Sequence, residues 1–292
     1  MMENNALESA SLTSLPLVDG IVVINLDTRP ERLERFRLQA SAIEQFADWE
    51  RLPAVLGIGL PGYGRPPWFK GRRRDKTWAG RGGCVLSHRK AIEHALAQGW
   101  DSVLILEDDV DFGADLANFL GAHGGEFSAL RAEWDVCYLG YMQAIGPFRR
   151  IHRFGESVNL YAVHGCYTTH AYILQSSTYQ WLLDRLPSQA QIWPWLSRHR
   201  AIDRWYSRHL SAKFRVAAVS PTLIGQFSDF SDIGQREPGA ERETHFYNCL
   251  DVSRVVDGDV FFHVLKLLRR MRFGIYGVSD ALRGLVKRLQ GF

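Results

Sequence analysis

The run Val103-Leu104-Ile105-Leu106-Glu107-Asp108-Asp109-Val110-Asp111 decides how this chain is read: four apolar residues lead straight into four acids within five positions. An apolar run without polar alternation is a strand buried on both faces of a sheet. Ligands of open α/β sheets bind beyond the carboxyl ends of such strands. Acids crowded there repel one another unless a cation neutralises them. Hard divalent cations take carboxylate oxygens, often together with substrate phosphates. The stretch therefore predicts a central strand ending in a metal site that holds a diphosphate. The plainer reading of the same acids is a solvent-facing loop.

Upstream, Val85, His88, Ile92 and Ala95 fall on one face of a helix predicted over 84–98, with Gly99 ending it. Before it, residues 57–83 are rich in Gly and Pro and carry Lys70, Arg72, Arg73, Arg74 and Lys76, which reads as a long irregular loop. Gly80-Arg81-Gly82-Gly83 would open the helix close to a ligand or another backbone. Further back, Ile21-Val22-Val23-Ile24 is a short β-branched strand. A helix follows it, capped by Asp27 or Thr28, with Pro30 in its first turn and Leu33, Phe36, Ala40 and Ile43 at helical spacing. Downstream come the strands 136–139, 171–174 and 216–219, with a helix near 177–186. This alternation predicts an α/β fold, a mostly parallel central sheet flanked by helices.

Composition agrees. The chain has 292 residues, 46% hydrophobic and 23% charged, which suits a globular protein. It divides into a disordered lead at 1–17, one domain at 18–254 and a tail at 255–292. A net charge of +3 does not predict a nucleic-acid partner. Apolar runs are too short to span a bilayer, and the polar N-terminus does not read as a secretory signal. Cys84, Cys137, Cys166 and Cys249 form no C-x-x-C pair, so a reducing cytosol is expected. Neither a P-loop, a G-x-G-x-x-G turn after the first strand nor a G-x-S-x-G elbow is present.

Several segments, in order and spacing, resemble glycosyltransferase family 25, the lipopolysaccharide-biosynthesis and collagen-galactosyltransferase-like group. The first is Val23-Ile24-Asn25-Leu26-Asp27-Thr28-Arg29-Pro30-Glu31-Arg32, followed by Gly83-Cys84-Val85-Leu86-Ser87-His88 and Leu104-Ile105-Leu106-Glu107-Asp108-Asp109. Asp135-Val136-Cys137-Tyr138-Leu139-Gly140, Thr169-His170-Ala171-Tyr172-Ile173-Leu174, Ala201-Ile202-Asp203 and Ser231-Asp232-Ile233 continue it, over residues 20–235 in all. The resemblance implies a glycosyltransferase-A type fold, a UDP-sugar donor (commonly UDP-galactose) and a divalent metal, usually Mn²⁺, with Mg²⁺ as the other choice. It implies that Asn25, Asp27, Arg29 and Arg32 lie on the nucleotide side and that Ser87 and His88 form the pair at the donor pocket. Asp108 goes with the donor-binding set, and Glu107 and Asp109 are the metal ligands. Asp111 lies beyond this triplet. Two positions depart from the family: Arg81 stands where an acid is common, and Leu223 lies near a His of the collagen-type members. Gln226, Asp229 or water would then complete the metal's shell.

The implied chemistry is inverting transfer to a glycan or glycolipid acceptor such as lipopolysaccharide. A base must take the acceptor's proton, and Asp203 is the candidate, with an ion pair to Arg200 or Arg204 as its plainer role. His88 reads alternatively as a core histidine, the basic loop as a solvated face, and Trp193, Trp195 and Trp205 mainly as packing residues. A glycoside hydrolase with one carboxylate pair and an inactive sugar-nucleotide-binding or scaffold protein are the competing classes. The tail winds into two amphipathic sets. Phe261, Val264, Leu265, Leu267, Leu268, Met271 and Ile275 oppose Lys266, Arg269 and Arg270 in the first, which is broken at Arg272 and Phe273. The second is capped by Ser279, with Leu282, Leu285, Val286 and Leu289 opposite Arg283, Lys287 and Arg288. Seven basic residues face three Asp across 255–292, a local charge of +4. Such helices lie on anionic bilayers, so the expected location is cytoplasmic, peripheral on the inner face of the cell membrane. Packing on the catalytic domain or a dimer contact is the alternative.

Overall fold

The five apolar runs are strands, and they belong to one eight-stranded sheet. The computed structural model describes residues 17–227, 250–256 and 258–292, without the side chains of Ala114, Arg270, Phe273 and Ile275. Residues 1–16 of the lead expected at 1–17, together with Asp229, Ser231, Asp232, Ile233 and Cys249, lie outside the described residues. Leu17 is already buried.

Strand β1 (Gly20–Asn25) pairs in parallel with β2 (Glu50–Pro53) on one side and β3 (Ser102–Glu107) on the other. A small β4 (Val110–Phe112) follows. Next come β5 (Val136–Gly140), β6 (Gln143–Ala144), β7 (Arg149–Phe154), β8 (Val158–Ala162), β9 (Cys166–Tyr167) and β10 (Ala171–Gln175). β11 (Val216–Ser220) and β12 (Ile224–Gln226) complete the set. The sheet order is β2-β1-β3-β10-β5-β11-β8-β7. Six of its strands point one way; β10 and β8 run against them. Along β3 the pleat sends Val103 and Ile105 into one core and Leu104 and Leu106 into the other. That is why its sequence shows no polar alternation.

The helices are α1 (Pro30–Ala40), α2 (Asp75–Gln98), α3 (Ala114–Ala129), α4 (Ser176–Leu183), α5 (Ile192–His199), α6 (Ile202–Lys213) and α7 (Asp259–Gln290). α1 and α3 cover one face of the sheet through Phe36, Leu116 and Phe127; α2, α4, α5 and α6 cover the other. Three expectations need correction. Arg29, not Asp27 or Thr28, occupies the N-cap of α1, and its side chain makes no cap hydrogen bond. α2 starts at Asp75, so the glycines lie within it instead of opening it. They are there for proximity: a Cβ on Gly83 would collide with the carbonyl of Val55, and one on Gly57 with that of Ala79. Third, α7 is one continuous helix of 32 residues; neither Arg272 nor Phe273 breaks it, and Ser279 lies within it rather than capping a second helix.

Candidate active site

β1 and β3 are parallel neighbours, so their carboxyl ends emerge side by side, with Ile24 opposite Glu107. β10 is antiparallel to β3, so its first residues arrive at the same edge. β12 pairs with β4 and carries Gln226 back to Val110. Four segments distant in sequence thus meet around the acids.

The three acids of the triplet have different surroundings. Asp108 is buried and held from behind: Asn25 Nδ2 donates to it at 2.7 Å and Arg32 at 3.2 Å. Burial still pushes its carboxyl above the usual range, against Arg32 and Asn25. At Glu107 burial opposes ionisation, yet hydrogen bonds from His88 and Thr169 and the nearby His170 hold its carboxyl below the usual range. The chain behind it runs from the Tyr172 hydroxyl to His88 Nδ1 (2.9 Å) and from His88 Nε2 to Glu107 Oε1 (3.2 Å). Among the described residues the Asp109 carboxylate receives Gln226 Nε2 at 2.9 Å, with Arg32 3.7 Å away. Burial, then Glu107 and Asp108, push it up to about 7. Among the described residues one arginine pairs with Asp108 and Asp109 of these three acids, so the corner favours an added cation.

The acids floor a cleft of about 300 Å³. Its walls are the end of β1, α2 and the 54–58 segment after β2. Hard oxygen donors at Glu107 and Asp109, beside the Gln226 amide, fit Mn²⁺ or Mg²⁺. Ligand atoms of Cys84, His88 and Glu107 also lie within 4.8 Å of one another. That trio is a poorer metal site, because burial and then Glu107 raise the Cys84 thiol well above its usual range.

With this geometry in hand, the comparisons with known proteins are informative. The description "Glycosyltransferase family 25 (LPS biosynthesis protein)" matches residues 18–192. The chain belongs to glycosyltransferase family 25. It is 32% identical over 136 residues to a Homo sapiens protein named "Inactive glycosyltransferase 25 family member 3", covering 43% of this chain and 22% of that one. It is 28% identical over 224 residues to "Procollagen galactosyltransferase 1" of Danio rerio, covering 70% of this chain and 36% of the relative. An Aedes aegypti "Glycosyltransferase 25 family member" is 38% identical over 108 residues, 32% of this chain and 17% of the relative. The matches thus span well under half of these relatives.

The family 25 positions expected from sequence divide into two sets. Arg32, Ser87, His88, Glu107, Asp108 and Asp109 line the cleft. Asn25, Asp27, Arg29 and Asp203 do not. Asn25 is buried behind the acids, accepting from Arg51 Nε at 2.9 Å, and Asp27 pairs with Arg51 in an exposed setting. Arg29 lies 3.7 Å from Glu31. Asp203 opens α6 and accepts from Thr168 N at 3.3 Å, one residue from the Thr169 that touches Glu107. No ion pair joins Asp203 to Arg200 or Arg204 among the described residues. Thr168 holds φ at 69°, unusual for a β-branched residue and common where function imposes strain.

The sequence reading missed Thr169 and Tyr172 as site residues, and the whole 54–58 wall. The wall follows a strand of only four residues with Pro at its end, which carries little strand signal. Of the basic segment, Lys76 lines the cleft, while Lys70 and Arg72 bond to carbonyls at the end of α7. Trp193, Trp195 and Trp205 are buried.

Proposed function

We propose that the protein is a metal-dependent, inverting glycosyltransferase of the glycosyltransferase-A type. It moves a hexose, galactose first, from a UDP-sugar to a glycan or glycolipid acceptor. The observation that carries this reading is Asp109: a carboxyl raised to about 7 at the floor of a cleft, between two further acids and one arginine. Glu107 and Asp109 would hold a divalent ion, Mn²⁺ or Mg²⁺, with Gln226 beside it. When bound, that ion supplies positive charge for the departing diphosphate.

The chain's own residues do the rest. His88 and Tyr172 keep Glu107 ionised and fixed, so the site is organised before substrate arrives. Arg32 and Lys76 add cationic charge along the diphosphate path. The acceptor oxygen forms its bond to the anomeric carbon as the bond to UDP breaks. The acceptor proton passes to Asp203, which the Thr168 N–H orients. Reducing cytosol is the compartment we assign, and glycans such as lipopolysaccharide the acceptor class.

One observation favours a second reading, a catalytically inactive sugar-nucleotide-binding protein. Leu223 is fully apolar and buried near the place where the collagen-type resemblance implies a histidine. Titration of UDP with and without Mn²⁺, followed by a UDP-release screen across UDP-Gal, UDP-Glc, UDP-GlcNAc and UDP-GalNAc, separates the two. Metal-dependent UDP binding with turnover of one donor is expected. Binding without release from any donor would establish the inactive reading, and no binding would overturn both.

A further inference from the structure

Helix α7 is docked inside out. Eleven of the seventeen exposed large hydrophobic side chains among the described residues lie on it. At about 100° per residue, all eleven fall on roughly one third of its circumference, a single stripe from Val260 to Leu289. Val260, Leu267, Met271, Val278, Leu282 and Leu289 are each more than half exposed. The side that touches the protein is polar. Asp280 takes Arg208 at 3.0 Å and Arg283 at 2.9 Å. Lys266 reaches Phe214 O, and Arg283 reaches Arg198 O at 2.9 Å. Phe262 and Phe292 are buried at either end. A surface helix normally buries its apolar stripe and solvates its charges. Here the charges anchor the helix and leave the stripe uncovered by the described residues.

We propose that this stripe is a membrane-surface contact whose partner is an anionic phospholipid bilayer. No helix among the described residues is long and apolar enough to cross a membrane, so the helix would lie in the headgroup plane. Charge selects the partner. Residues 255–292 carry a net +4; Lys266, Arg269 and Arg283 are turned to the protein, while the exposed Arg272 and Arg288 fall on either side of the stripe at about 100° per residue. A second copy packed stripe to stripe would set two such cationic segments together, whereas anionic headgroups neutralise them. The contact is also near the chemistry. Arg283 bonds to Arg198, at the end of α5, and Asp203 lies in the first turn of α6 just beyond. A lipid-linked acceptor would therefore arrive on the Asp203 side.

Vesicle flotation of the full-length protein tests this. The comparison is between phosphatidylcholine vesicles, the same vesicles with phosphatidylglycerol added, and a Leu267→Glu/Leu282→Glu/Leu289→Glu variant. These three side chains are exposed, so thermal midpoint and UDP binding should be unchanged, which keeps failure here separate from failure of the transferase reading. Flotation with the anionic vesicles alone, release at high salt, and an at least tenfold smaller floated fraction for the variant are expected. Equal flotation of variant and wild type would overturn the proposal. So would absence from anionic vesicles, and a dimer lost in the variant would then assign the stripe to a second copy.

Discussion

Two groups of buried charge have opposite imbalances. At the end of β3, acids outnumber cations, and Asp109 is raised to about 7. Beneath α7, cations outnumber acids. Burial, then His209, lower His199 to about 4, with Arg198 and Arg208 adding to the effect against Asp280. Burial, then Arg269, Lys266 and Arg254, lower His164 to about 3. Both are polar regions inside a mostly apolar fold. They differ in what completes them. The helix underside contains its own counter-ion in Asp280, held by two arginines, whereas the acid corner opens into the cleft, where acids outnumber cations among the described residues. An excess of acids facing the cleft marks a ligand site; ion pairs that join a helix to the body, as at Asp280, mark a fastening.

The sharpest way to break that distinction is to remove the acids assigned to the chemistry first. Asp109→Ala should abolish sugar transfer, on the order of a thousandfold or more, because several kcal/mol of leaving-group stabilisation is lost. Its thermal midpoint should hold or rise, since a repelled charge has gone. Full activity in EDTA would end the metal mechanism. Asp203→Asn should keep UDP affinity and lose transfer, measured by coupled UDP release; near-normal turnover would move the base elsewhere.

The two regions should also answer acid with opposite signs. His199 and His164 have folded pKa values below the unfolded value of about 6.5. Their contribution is therefore intact above pH 6.5 and is lost as pH falls toward 4, on the order of 3 kcal/mol for each. Asp109 is raised in the fold, so its penalty is full above about 7 and fades as pH drops. Urea melts between pH 7 and 4 should show net loss of stability. The loss should be shallower in His199→Gln and steeper in Asp109→Asn. Parallel curves for all three proteins would mean that neither region titrates as described.

Asp280→Ala should cost about 3 kcal/mol, because Arg208 and Arg283 lose their shared, buried partner. UDP affinity should stay within about twofold, since the described partners of Asp280 are Arg208 and Arg283 and no described hydrogen bond or ion pair joins the acid triplet to α7. A stability loss below about 0.5 kcal/mol would show the fastening to be superficial.

How much of this was legible in the sequence follows from the same contrast. The five central strands were readable because both faces of each are buried, and the acids because they directly follow one of them. The tail was expected as two amphipathic sets, and period alone did not show that they form one helix. Nor did it give the orientation: periodicity places Leu267 opposite Lys266 and Arg269 but does not say which side meets the protein. The partners of Asp280 come from α6 and α7, 72 residues apart at Arg208, a distance no local pattern spans. Thr169 was hidden by the antiparallel insertion of β10, which turns its start toward the ligand edge.

The smallest effect tests a residue that belongs to the acid region by position but resembles the fastening by chemistry. Ser87 lines the cleft and was expected to bind donor. Its hydroxyl is already engaged: it donates to Gly83 O at 2.8 Å and accepts from Val55 N at 2.8 Å. The first stays within α2, and the second ties α2 to the 54–58 wall. Ser87→Ala removes the acceptor and leaves the Val55 N–H unmatched, which should cost about 1 kcal/mol of stability. The wall stays in place because Gly57 and Gly83 still allow the close backbone approach. Affinity for UDP, read by calorimetry, should fall less than about threefold, within what a slight shift of one wall would cause. A drop of tenfold or more with an unchanged melting midpoint would make Ser87 a donor contact, its second lone pair accepting from the nucleotide.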